Sequence, residues 1–506
     1  MALSNKILFL ELALIILSSA MLHSQQYKDK PISIKIKNLL AEMTLDEKIG
    51  QMTQVDHRYL EQKSDIKTYF LGSLLSGGGS APDTNNLRSW VRMYNEYQDF
   101  ALDTRLAIPL IYGIDAVHGH NNVYGATIFP HNIGLGCSND EELVQKISEA
   151  TAREVRATGL DWTFAPCLAV SQDERWGRTF ESYSEDTDIV DRLGIASIKG
   201  YQGNNLESPN SVLACAKHYV GDGSTIFGTG INGGIDRGDV LVDEIELRSR
   251  YIKPFRSAVE NGVGSIMISY NSWQSKRLHG HSYLINDILK KELGFSGFVV
   301  SDWSAIDDID EDYKTSIIAA INAGLDMVMV PGEHNKKSHS YIEFINLLKE
   351  SVLEGSVSLN RIDDAVYRIL KIKYSMGLFE KPLKDLSRLN EIGSSSNRKL
   401  AREAVNKSVV LLQNNNDVLP ISKNIKSILV AGKHGDDLGY QCGGWTISWQ
   451  GGSGNTTIGT TILDGIRDNI GNHSSVSFSK NGDGANDHDI IITRCCFYSH
   501  FMTPIF

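Results

Sequence analysis

The chain has 506 residues, 41% hydrophobic and 22% charged, a composition ordinary for a globular protein. Its length suffices for two large domains or three small ones. A formal net charge of −11 argues against nucleic acid as a partner, which wants a basic stripe, and six cysteines in so long a chain do not make a disulfide scaffold.

At the N-terminus, Lys6 precedes the apolar run Ile7–Leu17, interrupted by Glu11; the small residues Ser18-Ser-Ala20 follow, then polar sequence from Ser24. This is the layout of a cleavable secretory signal, assigned to residues 1–24, and it predicts a secreted, extracellular protein. No other stretch is apolar for long enough to span a bilayer. Asn406-Lys-Ser, Asn455-Thr-Thr and Asn472-His-Ser are glycosylation acceptors in such a setting. Ile34–Gln51 has helical periodicity, with a helix start signalled at Thr44-Leu-Asp-Glu.

From there to about residue 376 the chain alternates strands with amphipathic helices, predicted at Glu141–Thr158, Ile189–Gly200, Leu247–Asn261 and Thr315–Ala323. Four strands each deliver a polar group at their carboxyl end. Pro109–Ile114 stops at Asp115, Ser211–Ala216 at Lys217 and His218, Gly264–Ser269 at Tyr270, and Gly297–Ser301 at Asp302. That pattern describes the top face of a (β/α)8 TIM-like barrel, where such enzymes keep their chemistry, here spanning residues 25–376. Cys137, Cys167 and Cys215 lie in or beside apolar runs and are expected as buried thiols.

Residues 377–396, with Gly393-Ser-Ser-Ser, form the predicted linker. A helix Asn397–Leu411 opens a second unit, residues 397–506. It holds strands at Ile425–Ala431, Ser475–Ser479 and His488–Thr493 and a helix at Thr460–Ile470, a truncated parallel α/β sandwich. Cys495 and Cys496 are adjacent near its end.

If the barrel holds, Asp115, Arg178, Lys217, His218, Tyr270 and Asp302 converge on one opening. The cations flanking Asp115 and Asp302 are expected to keep both carboxylates ionised, which suits a nucleophile and a hydroxyl-binding group. Trp303 offers a flat apolar face for a sugar ring. His118 and His120 could be mistaken for a metal pair, but no third ligand is evident and no metal or cofactor is expected. Lys217 at a strand end also fits a Schiff-base lysine, a reading that leaves Arg178, His218 and Trp303 unexplained.

The motifs GIDAVHGHNN (113–122), ERWGRTFESYSED (174–186), KHYVGDG (217–223), MISYNSW (267–273), GFVVSDW (297–303) and CGGWTISWQG (442–451) run in family order across nearly the whole chain. With them the chain resembles glycoside hydrolase family 3, in its β-glucosidase and β-glucan exohydrolase branch. The resemblance implies an exo-acting retaining enzyme that releases terminal glucose from β-glucan or β-glucoside substrates. Asp302 matches the nucleophile. Asp115, Arg178, Lys217, His218 and Tyr270 match the residues that hold the terminal sugar, with Met267 in the pocket wall and His118 and His120 as support behind Asp115. Trp303 and Trp449 match the clamp on the next sugar.

Retaining hydrolysis also needs a second carboxyl about 5 Å from the first. The resemblance puts it just after the strand His488–Thr493, yet no Asp or Glu follows Asp489. Two readings therefore stand side by side: an active exo-glucosidase, and a sugar-binding form or shortened gene model without its acid/base. Glu181 and Asp222 are the candidates to replace that acid/base. Three further departures are Asp308, where plant members carry Arg, the glycine-rich Gly230–Gly234 in place of an outer-subsite Glu, and Ser171 and Thr179, where plant members pair two cysteines.

Overall fold

A computed structural model describes residues 32–332 and 338–493. The signal segment, Cys495 and Cys496 lie outside the described residues. Among the described residues no helix is long and apolar enough to cross a membrane. The three acceptor asparagines, Asn406, Asn455 and Asn472, are all exposed.

The N-terminal periodic stretch is two helices rather than one. The first covers 32–42, and Leu45–Gln51 follows after a break. Thr44 makes the break by capping the second helix. Its hydroxyl accepts from Glu47 N at 3.3 Å, and Glu47 Oε2 accepts from Thr44 N at 2.8 Å, so two orphan donors are satisfied reciprocally.

Eight parallel strands follow: β1 (Thr53–Asp56), β2 (Ser73–Ser76), β3 (Ile111–Ile114), β4 (Trp162–Thr163), β5 (Leu213–Tyr219), β6 (Ser265–Ile268), β7 (Phe298–Val300) and β8 (Val328–Met329). Each pairs with its neighbours in chain order, β1 pairs with β8, and a bridge between Val300 and Met327 closes the ring. Helices such as Leu87–Leu102, Glu141–Ala157, Thr187–Gln202 and Tyr313–Ala323 lie between successive strands. The predicted helix 247–261 is present, with a wider first turn over Leu247–Ile252 that continues as Lys253–Glu260. Burial on both faces explains why the strands read as nearly unbroken apolar runs.

One correction concerns Cys137. It is exposed, because the helix Asn132–Ser138 buries Asn132, Leu135 and Gly136 and turns the cysteine outward. Cys167 and Cys215 are buried as expected.

The closing seam depends on Asp326. Its carboxylate accepts from Val299 N at 2.8 Å and from Lys290 Nζ at 2.7 Å, and it also takes Arg361. All this happens at a side chain with no solvent exposure. The segment 377–394 runs along the barrel, where Lys384 N donates to Asn95 Oδ1 at 2.9 Å and Arg388 reaches Asn210 at 2.7 Å.

Helix Ser395–Ser408 then leads into the smaller unit, whose strands β9 (Ser427–Ala431), β10 (Ser475–Ser479) and β11 (Ile490–Thr493) are all parallel, with β9 in the middle. Ile428, Val430 and Leu463, the last on helix Ile462–Asn469, form its small core.

Removing the seam carboxylate leaves Lys290 and Arg361 buried without it. Asp326→Ala is expected to cost about 3–5 kcal/mol, the usual loss when one partner of a buried ion pair is deleted. Denaturant unfolding checks this; a change below about 1 kcal/mol would show that the seam is held elsewhere.

Candidate active site

The barrel brings the sequence-predicted residues together at the carboxyl ends of its strands. Asp115 follows β3, and Asp302 stands two residues beyond β7. Lys217 and His218 are consecutive, so a regular strand would send them to opposite faces. The pairing of β5 with β6 shifts register between Ala216 and Tyr219, an irregularity of the kind that re-aims side chains. Both are nearly fully buried, with Lys217 Nζ 3.1 Å from Asp115 Oδ1 and His218 Nε2 3.6 Å from Asp302 Oδ2.

Arg178 lies just before the turn Thr179–Glu181. It grips Glu181 at both ends, Nε to Oε1 at 2.7 Å and Nη2 to Oε2 at 3.0 Å, and Nη2 also donates to His218 Nε2 at 3.1 Å. An Arg donor makes Nε2 an acceptor. The imidazole proton therefore sits on Nδ1, where it donates to Asp222 Oδ2 at 2.7 Å. His218 is neutral, since burial and the Arg178 and Lys217 charges drive its pKa well down.

The expectation that the cations simply hold both carboxylates ionised needs correcting. Burial raises Asp115 to about 6 despite Lys217. It also raises Asp302, although Arg178, the Trp303 N–H, Lys217 and Arg237 pull that carboxyl back. The competitor is Glu181. Burial opposes its charge too, but Arg178 wins and keeps it ionised, so Arg178 serves a third carboxylate. As a substitute proton donor Glu181 is thereby disfavoured. Asp222, raised to about 7 by burial, lies on the Nδ1 side of His218, away from Asp302. Lys217 is shifted up, because Asp115 and Glu181 outweigh its burial; a Schiff-base lysine needs the opposite shift.

Asp302 has one oxygen engaged and one open. Oδ1 accepts from Trp303 N at 2.7 Å, whereas Oδ2 is buried without a hydrogen bond. His279 Nε2 accepts from Asp302 N at 3.1 Å and sets the backbone. Tyr270 meets His279 edge-on at 6.1 Å. Met267 sits lower, in the apolar core and in register with Val300.

The smaller unit supplies the roof. A Cβ on Gly78 would come 2.5 Å from Trp449 N, so glycine there lets the Trp449 backbone lie against the loop after β2. The neighbouring Gly77 faces the Trp303 ring, and Trp303 packs edge-on to Tyr59 at 6.3 Å. Both tryptophans thus stand at the same rim. Trp445 was not singled out from the sequence; it is buried, with its ring centre 5.2 Å from Lys217 Nζ and its indole dipole among the influences that keep Glu181 charged. Only its position four residues before Trp449 hinted at it.

His118 does not back Asp115. Its Nε2 meets Thr446 Oγ1 at 3.1 Å and its Nδ1 meets Phe129 O at 3.0 Å, so it braces the roof. His120 reaches Thr158 Oγ1 at 2.7 Å. Asn121 and Asn122 hold the Asp115 carbonyl instead. Arg175 pairs with Asp173 on the surface and takes no part in the site. Cys167, His218 and Asp222 bring three metal-type donors within 4.8 Å, yet the His218–Asp222 pair is already hydrogen-bonded and burial keeps the Cys167 thiol protonated.

Comparison with known proteins agrees with this architecture. The glycosyl hydrolase family 3 N-terminal domain matches residues 44–372, and the family 3 C-terminal domain matches 409–496. The chain belongs to glycosyl hydrolase family 3. It is 33% identical over 468 residues to the lysosomal β-glucosidase of Dictyostelium discoideum, covering 86% of this chain and 55% of that one. The exo-1,3/1,4-β-glucanase of a Pseudoalteromonas species superposes with a TM-score of 0.84 at 40% identity, covering 92% of this chain and 58% of that one. A β-glucosidase from Listeria innocua, solved with glucose, gives 0.77 at 27% identity, over 91% and 63% of the two chains. The chain therefore spans a little over half the length of the first two.

Asn121 is the staple between floor and roof. Its Nδ2 donates to Asp115 O at 2.8 Å and Trp445 O at 2.7 Å, and its backbone carbonyl accepts from Ile447 N at 2.9 Å. Asn121→Ala is expected to cost about 2–4 kcal/mol, because it strands several buried polar groups at about 1–3 kcal/mol each. Thermal unfolding reads this out; an unchanged midpoint would show that the roof docks without it.

Proposed function

We propose that the protein acts as an exo-acting retaining β-glucosidase, or β-glucan exohydrolase, that removes terminal glucose from β-linked substrates. The observation that carries this reading is Asp302, half-buried beside Arg178, Lys217 and His218, with Oδ1 tied to Trp303 N and Oδ2 without a hydrogen bond. An oxygen held in place but unpaired is ready to attack, and the surrounding N–H donors and the Asp115 acceptor suit the hydroxyls of one pyranose. The likeness to β-glucosidases and an exo-β-glucanase supports glucose as that pyranose.

In this reading Oδ2 forms a bond to the anomeric carbon as the bond to the leaving oxygen breaks. Net retention also calls for a second carboxyl that protonates that oxygen and then activates a water to release the sugar; neither Glu181 nor Asp222 is placed for that role, so a leaving group that departs as a stable anion and needs no proton suits Asp302 best. Asp115 accepts from hydroxyls while Lys217 and Arg178 donate. A 2-deoxy-2-fluoro-glucoside with a good leaving group is expected to label a peptide spanning Phe298–Trp303, and Asp302→Ala to abolish labelling. Mass spectrometry of the digest decides; a label on any other carboxylate would overturn the assignment.

The same site carries a pH signature. A carboxyl raised from 3.8 to about 6 is an acceptor above that pH and is lost as pH falls through it. Glucose affinity is therefore expected to weaken between about pH 7 and pH 5, where a carboxyl at its ordinary value would stay ionised. Calorimetric titration at the two pH values tests this, and equal affinity at both would exclude Asp115 as the limiting acceptor.

A further inference from the structure

Among the described residues, Cys167, His218 and Asp222 form a buried trio of sulfur, nitrogen and oxygen donors, with one atom of each within 4.8 Å of the others. The backbone fixes all three. Cys167 lies where the chain beyond β4 bridges to Lys217, next to His218. Asp222 opens the turn Asp222–Ser224, and its Oδ2 accepts from His218 Nδ1 at 2.7 Å. That turn is pressed against the segment after Cys167, for a Cβ on Gly223 would lie 2.7 Å from Val170 O. Cys167 also belongs to a small apolar cluster with Ala169, Trp176 and Ile235, which flanks the trio at the sulfur.

One oxygen of the trio is left over. Asp222 is 8% exposed, and its Oδ1 has no hydrogen-bond partner although Oδ2 is engaged. A buried carboxylate oxygen without a donor is costly, and a cation satisfies it where no N–H reaches. The donor types decide which cation. A thiolate, an imidazole and one carboxylate suit zinc and its softer relatives, whereas magnesium and calcium take oxygen donors almost alone. Zinc bonds of about 2.0–2.3 Å place the donors of one ion roughly 3–4 Å apart, so these side chains reach that geometry by shifts on the order of 1 Å. Three protein donors leave the fourth position to a water.

We propose that Cys167, His218 and Asp222 bind a thiophilic divalent cation, zinc foremost, and that the bound ion shuts the sugar pocket. Binding forms bonds from zinc to sulfur, nitrogen and oxygen. The Cys167 thiol gives its proton to water, and the imidazole keeps its one proton on the nitrogen that the ion does not take. Either choice of nitrogen breaks the bond that Arg178 Nη2 makes to His218 Nε2 at 3.1 Å. With zinc on Nδ1 the proton moves to Nε2, and two donors face each other; with zinc on Nε2 the acceptor lone pair is used up. Zinc with one thiolate also adds net positive charge beside Arg178 and Lys217, the donors assigned to the sugar hydroxyls. This second part, the closing of the pocket, rests on the glucosidase reading above.

Calorimetric titration of the full chain with zinc chloride is expected to show one tight ion per chain, and magnesium chloride none. Cys167→Ser and Cys167→Ala are each expected to weaken zinc about tenfold or more, while Cys137→Ser and the double variant Cys495→Ser, Cys496→Ser leave it within about twofold. Cobalt in place of zinc reports the sulfur directly, through a thiolate-to-cobalt charge-transfer band expected in the unaltered chain and absent from Cys167→Ser. Saturating zinc is expected to weaken glucose about tenfold, and glucose to weaken zinc by the same factor. In Cys167→Ser, zinc is expected to leave glucose binding as it is. Zinc bound equally by Cys167→Ser, or a cobalt complex without the band, would overturn the site. Undiminished glucose binding with zinc in place would overturn the closing of the pocket. If the unaltered chain binds no glucose, the glucosidase reading fails, and the zinc titration and cobalt band still decide the metal site. If neither Cys167 variant melts cooperatively, the band in the Cys137, Cys442→Ser and Cys495/Cys496 variants decides instead, and its loss in any of them would overturn the assignment to Cys167.

Discussion

Everything at the top of this barrel follows from having to bury charge. Lys217 and Asp115 meet at 3.1 Å with almost no exposure to water, and an unpaired ion there would cost several kcal/mol. The surrounding parts answer that constraint. The register shift in β5 places Lys217 and His218 side by side, the turn after Arg178 presents Glu181 to the guanidinium, and Asp222 fixes the proton of His218. Burial still prevails at Asp115, Asp302 and Asp222, and this makes the floor both a binding surface and a titrating one.

Much of this was legible in the sequence because strands and helices announce themselves by period. An apolar run that stops at Asp302 or Asp115 is a buried strand delivering a carboxylate, and the capping pattern at Thr44 marked the helix start within a continuous periodic stretch. Cys137 was misjudged because its neighbours are apolar, while the face a helix buries depends on what packs against it. Glu181 was seen as a carboxylate but not as the main partner of Arg178, since the turn between them sets the distance. Trp445 and Arg237 were invisible for a related reason. One is placed by the docking of a second unit and the other by a left-handed backbone in a glycine loop, and neither leaves a periodic trace. Asp308 was noticed as a departure; what it faces could not be known before the loop was folded.

Floor and roof come from different parts of the chain. The charged floor is built from barrel strands, whereas Trp445 and Trp449 arrive on the segment after helix Leu438–Cys442 and are held by Asn121, His118 and His131. Gly78 matters here for what it lacks, because any side chain would push the Trp449 backbone away. Polar contacts join the two at the site, while Leu400, Ala401 and Ala404 of helix Ser395–Ser408 pack against the barrel core, so complementarity and apolar burial both set how the units dock.

The loop that carries Arg178 is latched between Ser171 and Thr179 by a hydrogen bond of 3.0 Å between their hydroxyls. A bond of that kind is worth about 1 kcal/mol, whereas a covalent cross-link at the same place contributes about 2–4 kcal/mol. The latch therefore opens and recloses with thermal motion and exchanges its partners with water. Reductants and oxidants have no purchase on it. Heat is what loosens this corner of the molecule, and the redox state of its surroundings leaves the arginine where it is.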